Sequence, residues 1–182
     1  MRGNLADLHT QLNITARDEH VPEIERFNRT IKERVRGNYN ILPFDHLPPI
    51  IVIEMVYTAV FLRNMFALKG GVSQTQSPSE IILNRKLNFN AHCKVEFGEY
   101  VQTHEEHDNS MQARTIGAIA TRPINDDGAY YFVNLETERC INRRSWTSLP
   151  MPASVIKQVH CLARRAKGKK QLPFTNNDNR MS

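Results

Sequence analysis

The sequence predicts an α+β chain on three observations: two helical patterns before residue 70, short β-type runs between 94 and 149, and a further helical pattern after Pro152. The 182 residues are 40% hydrophobic and 24% charged, enough apolar material for one sizeable domain or two small ones. Three Cys without a C-x-x-C fit neither a disulfide scaffold nor a thiolate zinc site. Cys93, Cys140 and Cys161 therefore read as reduced thiols of an intracellular protein.

The first helix is expected over residues 22–38, opened by a Pro that suits a first helical turn. Ile24, Phe27, Ile31 and Val35 recur at spacings of 3, 4 and 4, which gives one narrow apolar stripe facing a core. Glu25, Arg29, Lys32 and Arg36 fall within a band of about 60° beside it, so one carboxylate shares a flank with three cations.

Residues 47–68 are the most apolar stretch, interrupted by Glu54 and Arg63 into runs far shorter than the ~20 residues that span a bilayer. They read as a buried helix, with Pro48-Pro49 at its start and Gly70-Gly71 at its end. Ser77-Pro78-Ser79-Glu80 reads as a Ser cap, a Pro and an acidic first turn, opening a short helix through Ile81, Ile82 and Leu83 that Arg85-Lys86 ends.

From Lys94 the texture changes to short runs rich in β-branched and aromatic residues, separated by loops such as Asn125-Asp126-Asp127-Gly128. Residues 94–149 are expected to form a small antiparallel sheet or barrel, with Trp146 and Tyr130 to Phe132 filling its interior. A last helix is expected over 153–166, with Val155, Ile156, Val159 and Leu162 as its apolar face, and a disordered basic tail from about residue 168.

The formal charge of +5 and a pI near 9.3 are unevenly distributed. Residues 1–46 are balanced, 47–94 carry +3, 95–150 carry −4 and 151–182 carry +6. The basic excess thus sits at the end of the chain, in Arg164, Arg165, Lys167, Lys169 and Lys170, where it could contact DNA phosphates or serve as a nuclear address. No secretory signal is read at residues 1–14.

The string Glu25-Arg26-Phe27-Asn28-Arg29-Thr30 resembles the E-R-x-N-R-T segment of copia-type (Pseudoviridae) retrotransposon integrases. Residues 47–68 are similar to the long apolar helix that follows in that family. Ser77-Pro78-Ser79-Glu80 with Asn84-Arg85-Lys86 is similar to its T-P-x-E-L-L-x-G-R-K element, and Phe97-Gly98 to its F-G-C strand. Residues 115–146, with Gly117, Tyr130-Tyr131, Leu135 and Arg143-Arg144, are similar to the β-rich region behind its catalytic core. The resemblance covers roughly residues 17–150.

The resemblance implies a truncated RNase H-like core in residues 1–90, represented by its helices, a small β-barrel-like domain in 91–150, and a helix with a basic tail in 151–182. It makes Glu25 the third carboxylate of a D,D,E triad whose members hold two Mg2+ or Mn2+ ions in the complete parent. Asp7 and Asp18 match neither of the other two carboxylates, and the zinc-binding His-His-Cys-Cys module is missing, so the chain is expected to transfer no strands alone and to need no cofactor. Arg29, Lys32 and Arg36, with the C-terminal cations, are the implied nucleic-acid contacts. Retroelement ends and target DNA are the parent's partners, self-association through exposed apolar helices is expected, and no membrane is involved. The compartment is the nucleus for a functional integrase and the cytoplasm otherwise.

Plainer readings stand beside these. Glu25 and Arg29 would make an i,i+4 pair worth ~0.2–0.5 kcal/mol, and the cationic flank could simply be solvated. His104-x-x-His107 lacks a second ligand pair, and His92-Cys93 and His160-Cys161 are adjacent residues that project apart. No G-x-S-x-G, P-loop or dinucleotide Gly motif supports a hydrolase, NTPase or oxidoreductase. The alternative to an integrase fragment is a non-catalytic DNA- or protein-binding module that uses the β lobe and basic tail.

Overall fold

A computed structural model of the chain describes residues 21–84, 86, 88–105, 111, 113–124 and 128–168. These build an α+β structure with helices α1 (Pro22–Ile41), α2 (Pro49–Met65), α3 (Pro78–Leu83), α4 (Phe89–His92) and α5 (Ala153–Gly168). Strands β1 (Tyr100–His104), β2 (Thr115–Pro123), β3 (Tyr130–Asn134), β4 (Cys140–Arg143) and β5 (Trp146–Ser148) form one antiparallel sheet in the order β4-β3-β2-β1-β5.

Local chemistry sets the helix ends. Pro22 opens α1 and Glu23 and Glu25 complement its dipole, while extended Leu42, placed before Pro43, stops it three residues later than the sequence predicts. The end of α2 differs from expectation. It stops at Met65 with Phe66 extended, and Gly70 at φ +79 serves the turn beyond it, where Gly71 N–H donates to Leu68 O at 2.9 Å. Ser77 and Glu80 make a reciprocal capping box on α3: the Ser77 side chain accepts from Glu80 N–H and the Glu80 carboxylate from Ser77 N–H. Asn84, left-handed at φ 50, ends α3 rather than the cations after it.

Period-two alternation divides the sheet into two faces. Val101, Ala118, Ala120, Tyr130 and Phe132 share the inner one with Val95, Ile141 and Trp146. Tyr100, Ile119 and Val133 face outward, where Phe44, Ile51 of α2 and Val155, Val159 and Leu162 of α5 cover them. This outer core draws residues from each of the three segments 1–90, 91–150 and 151–182.

The sheet is rolled. Tyr130 on β3 and Trp146 on β5 lie three strands apart, ~14 Å in a flat sheet, yet their ring centroids are 5.0 Å apart. The residues following β4 explain why: Ser145 already accepts from His104 N–H of β1 at 3.1 Å, so two residues carry the chain from one edge of the sheet to the other.

Gly98, at φ +88, lets α1 seat on this sheet. A Cβ there would overlap Leu42 at the α1 C-cap, and Gly98 N–H donates to Ala120 O at 2.8 Å. No described helix is long and apolar enough to cross a membrane.

Candidate functional site

The charged flank of the E-R-x-N-R-T string sits where the spacing predicts, but the apolar stripe beside it faces a core only in its second half: Ile24 and Phe27 are 58% and 38% exposed, Phe27 meeting the Arg63 guanidinium. Ile31 is buried and Val35 half-buried, while Glu25, Arg29, Lys32 and Arg36 are exposed along one flank of α1. Eleven residues separate Glu25 from Arg36, a span of ~16 Å of helix. Arg29 Nε donates to Glu33 Oε1 at 3.0 Å, so its side chain leans toward the C-terminal half of α1. This exposed pair contributes a few tenths of a kcal/mol at most.

Arg164, Arg165 and Lys167 occupy the last turns of α5, where cations complement the helix dipole, rather than a tail. Arg165 lies 3.7 Å from Glu138 in the β3–β4 connection. No described contact joins these cations to the α1 flank. Lys169, Lys170 and the expected disordered tail lie outside the described residues, as do Asp7, Asp18 and His107.

The histidines flagged in the sequence have structural work. His104 ends β1 and ties it to β5, through Nδ1 to Ser145 Oγ at 2.9 Å and Nε2 to Thr147 Oγ1 at 3.1 Å. His160 Nε2 accepts from Asp45 N–H at 3.1 Å, which fastens α5 to the segment after α1. Buried His92 donates from Nδ1 to Asn88 O at 2.6 Å. Beside His104, Arg143 donates to Glu105, Nε to Oε1 at 2.9 Å, and these bonds hold the Glu105 carboxyl below its usual range.

The most constructed polar arrangement was not legible in the sequence. Glu54, the single carboxylate within the apolar run of α2, is buried and accepts from Arg122 Nε at 2.8 Å. Arg122 reaches it through a register shift. Ala118 and Ala120 face inward, so strict alternation would turn Arg122 inward too, but β2 and β3 slip register between Ala120 and Pro123. Arg122 therefore lies on the outer face, its Cζ 4.0 Å from the Tyr131 ring centroid and 5.1 Å from that of Tyr57. A cavity of about 460 Å3 opens beside it, between α2, α3 and the end of β2. The only signal in the sequence is Glu54 itself, since a carboxylate at a core position demands a cation, but Arg122 stands 68 residues away.

Among the described residues, no three His, Cys, Asp or Glu side chains converge as ligands for a metal. Glu25, exposed on α1, is not joined there by a second or third carboxylate, so these residues do not fit a Mg2+ or Mn2+ pair. What the surface offers is cationic at the α1 flank and the end of α5, and at Arg122 a stacked guanidinium whose charge Glu54 offsets. The chain matches no family model, no curated protein and no solved structure.

Proposed function

We propose that the chain is the C-terminal part of a copia-type integrase, with α1 and α2 the helical remainder of an RNase H-like core and the rolled sheet a small barrel-like lobe behind it. One observation carries this reading: α2 has a second apolar side, and the start of the α1 stripe is uncovered. Ile24 is 58% exposed, and Val52, Ile53, Val56 and Tyr57 line the outer face of α2 at 38–54% exposure, although the inner face of that helix is fully packed. A helix apolar all round belongs inside a larger core. A sheet bearing the two other carboxylates is the element that would cover these helices.

Strand transfer sets an oxygen nucleophile and a leaving oxygen around two divalent ions held by carboxylates. The described residues do not fit that pair, so no step of the reaction is assigned to this chain, and turnover is expected only with the missing carboxylates supplied. What remains is phosphate binding by Arg29, Lys32, Arg36, Arg164, Arg165 and Lys167, and self-association through the uncovered helix faces.

Two measurements test the reading. The 182-residue chain should transfer no strands with Mg2+ or Mn2+; turnover abolished by Glu25→Gln would overturn its inactivity. Affinity for duplex DNA should fall steeply with salt, each phosphate contact adding roughly 0.9 to the log–log slope. Binding that is absent, or indifferent to salt, would remove DNA as the partner.

A second reading is favoured by the cations of α5, which are exposed on a lobe that has an inner core of its own: a non-catalytic module that binds DNA or a protein through the β lobe. The coding sequence directly upstream discriminates the two. In-frame codons for the two triad Asp support the fragment, and a promoter in their place supports the module.

A further inference from the structure

The groove at Arg122 is built more tightly than a structural ion pair needs. Glu54 engages Nε alone, and the contacts of Arg122 among the described residues end with that bond and the two rings, so Nη1 and Nη2 carry N–H donors without a protein acceptor. The guanidinium is fixed behind by a buried carboxylate and flanked by aromatic rings. Its side chain is still 27% exposed, at a cavity of about 460 Å3 walled by Phe61 and Ile82. A fork held in this way recognises a planar pair of acceptors.

Two kinds of ligand present such a pair. An anionic carboxylate or phosphate would gain little net attraction, because Glu54 already cancels the Arg122 charge. A neutral pair of acceptors on a flat apolar body loses nothing to Glu54 and gains contact with the tyrosines and the apolar walls. The O6/N7 edge of guanine has that chemistry, and arginine is its usual reader. Tyr57, 54% exposed at the rim, offers a stacking face to the same base.

We propose that this groove takes a single unstacked guanine of a single-stranded nucleic acid, read by the Arg122 fork and stacked on Tyr57. This deepens the nucleic-acid reading above and rests on it. The register shift in β2 then has a functional consequence as well as a structural one, since it is what brings the fork to the outer face.

The test is fluorescence anisotropy with labelled oligothymidylates carrying one central guanine, adenine or 7-deazaguanine. The guanine probe should bind about tenfold tighter than the adenine probe. The 7-deaza probe, which lacks N7, should lose most of that advantage. Tyr57→Ala, a change at an exposed position, should weaken the guanine probe while leaving the thermal melt in place. Arg122→Lys should abolish the discrimination but keep salt-dependent binding. Equal affinity for all three probes, with salt dependence retained, would overturn the guanine site and leave phosphate binding standing. Binding to none of them at low salt would overturn the guanine site, and absence of duplex DNA binding as well would overturn both.

Discussion

Four of the five residues of β3 are buried, whereas in α1, twenty residues long, only Ile31 is. The contrast reflects what each element packs against. The three central strands are covered on both faces, inwardly by the sheet's own aromatic side chains and outwardly by α2 and α5, while no residue of the edge strands β4 and β5 is buried. α1 rests on α2 along one stripe, and α2 faces outward with Val52, Ile53, Val56 and Tyr57. Burial on both faces fixes the centre of the sheet, with the inner face of α2 part of that core; the outer face of the helix pair carries apolar surface that this packing does not use. Conformational stability is therefore concentrated around the sheet, and binding capacity in the outer face of the helices.

Truncating the inner core should produce the largest effect. Phe132 is fully buried and packs on Tyr130 and Trp146, with centroids 6.4 and 5.3 Å away. Phe132→Ala should cost ~3–5 kcal/mol in urea unfolding, through lost transfer energy and the cavity left behind. That is a large share of the ~5–15 kcal/mol a domain typically has. A loss below about 1 kcal/mol, within the range of surface changes, would mean that the rolled interior is not the stabilising core.

Much of this architecture could be read from local signals. Pro22, Pro49 and Ser77-Pro78-Ser79-Glu80 mark helix starts because capping chemistry is confined to a few residues, and Val155, Val159 and Leu162 mark a buried face because periodicity is local too. The short α4 escaped, since one turn capped by Asn88 leaves no periodic pattern. The end of α2 was misplaced because Phe66 turns extended without any helix-breaking residue. The same division runs through the site. Glu25, Arg29, Lys32 and Arg36 share a face by spacing alone, whereas the Glu54–Arg122 pair depends on a long-range contact and on a register slip that no single strand announces.

The ion pair between Glu105 and Arg143 closes the corner of the roll, and pH should probe it. Hydrogen bonds from Arg143 lower the Glu105 carboxyl, with Thr103 helping and burial opposing. A carboxyl lowered by folding stabilises the native state above its unfolded-state value of about 4.3, and that contribution fades as pH falls through the lower folded value. The urea midpoint should therefore drop as pH falls below about 4, and less so in Glu105→Gln. Identical profiles for the two proteins would show that the corner holds without this pair.

The smallest effect on stability should come from the outer face of α2, and it is the most informative about the comparison. Val56 is 39% exposed there, beside Val52, Ile53 and Tyr57. Val56→Lys removes little buried area, introduces no unpaired buried charge, and keeps a residue compatible with a helix, so the unfolding free energy should change by about 0.5 kcal/mol or less. Its effect should instead appear in solution behaviour. A cation in the middle of an otherwise apolar patch makes covering that patch by a second chain costly, so sedimentation should shift toward the monomer while the melt stays in place. A loss of several kcal/mol would mean that this face is already packed within a single chain, and the division between a covered sheet and an uncovered outer helix face would fall with it.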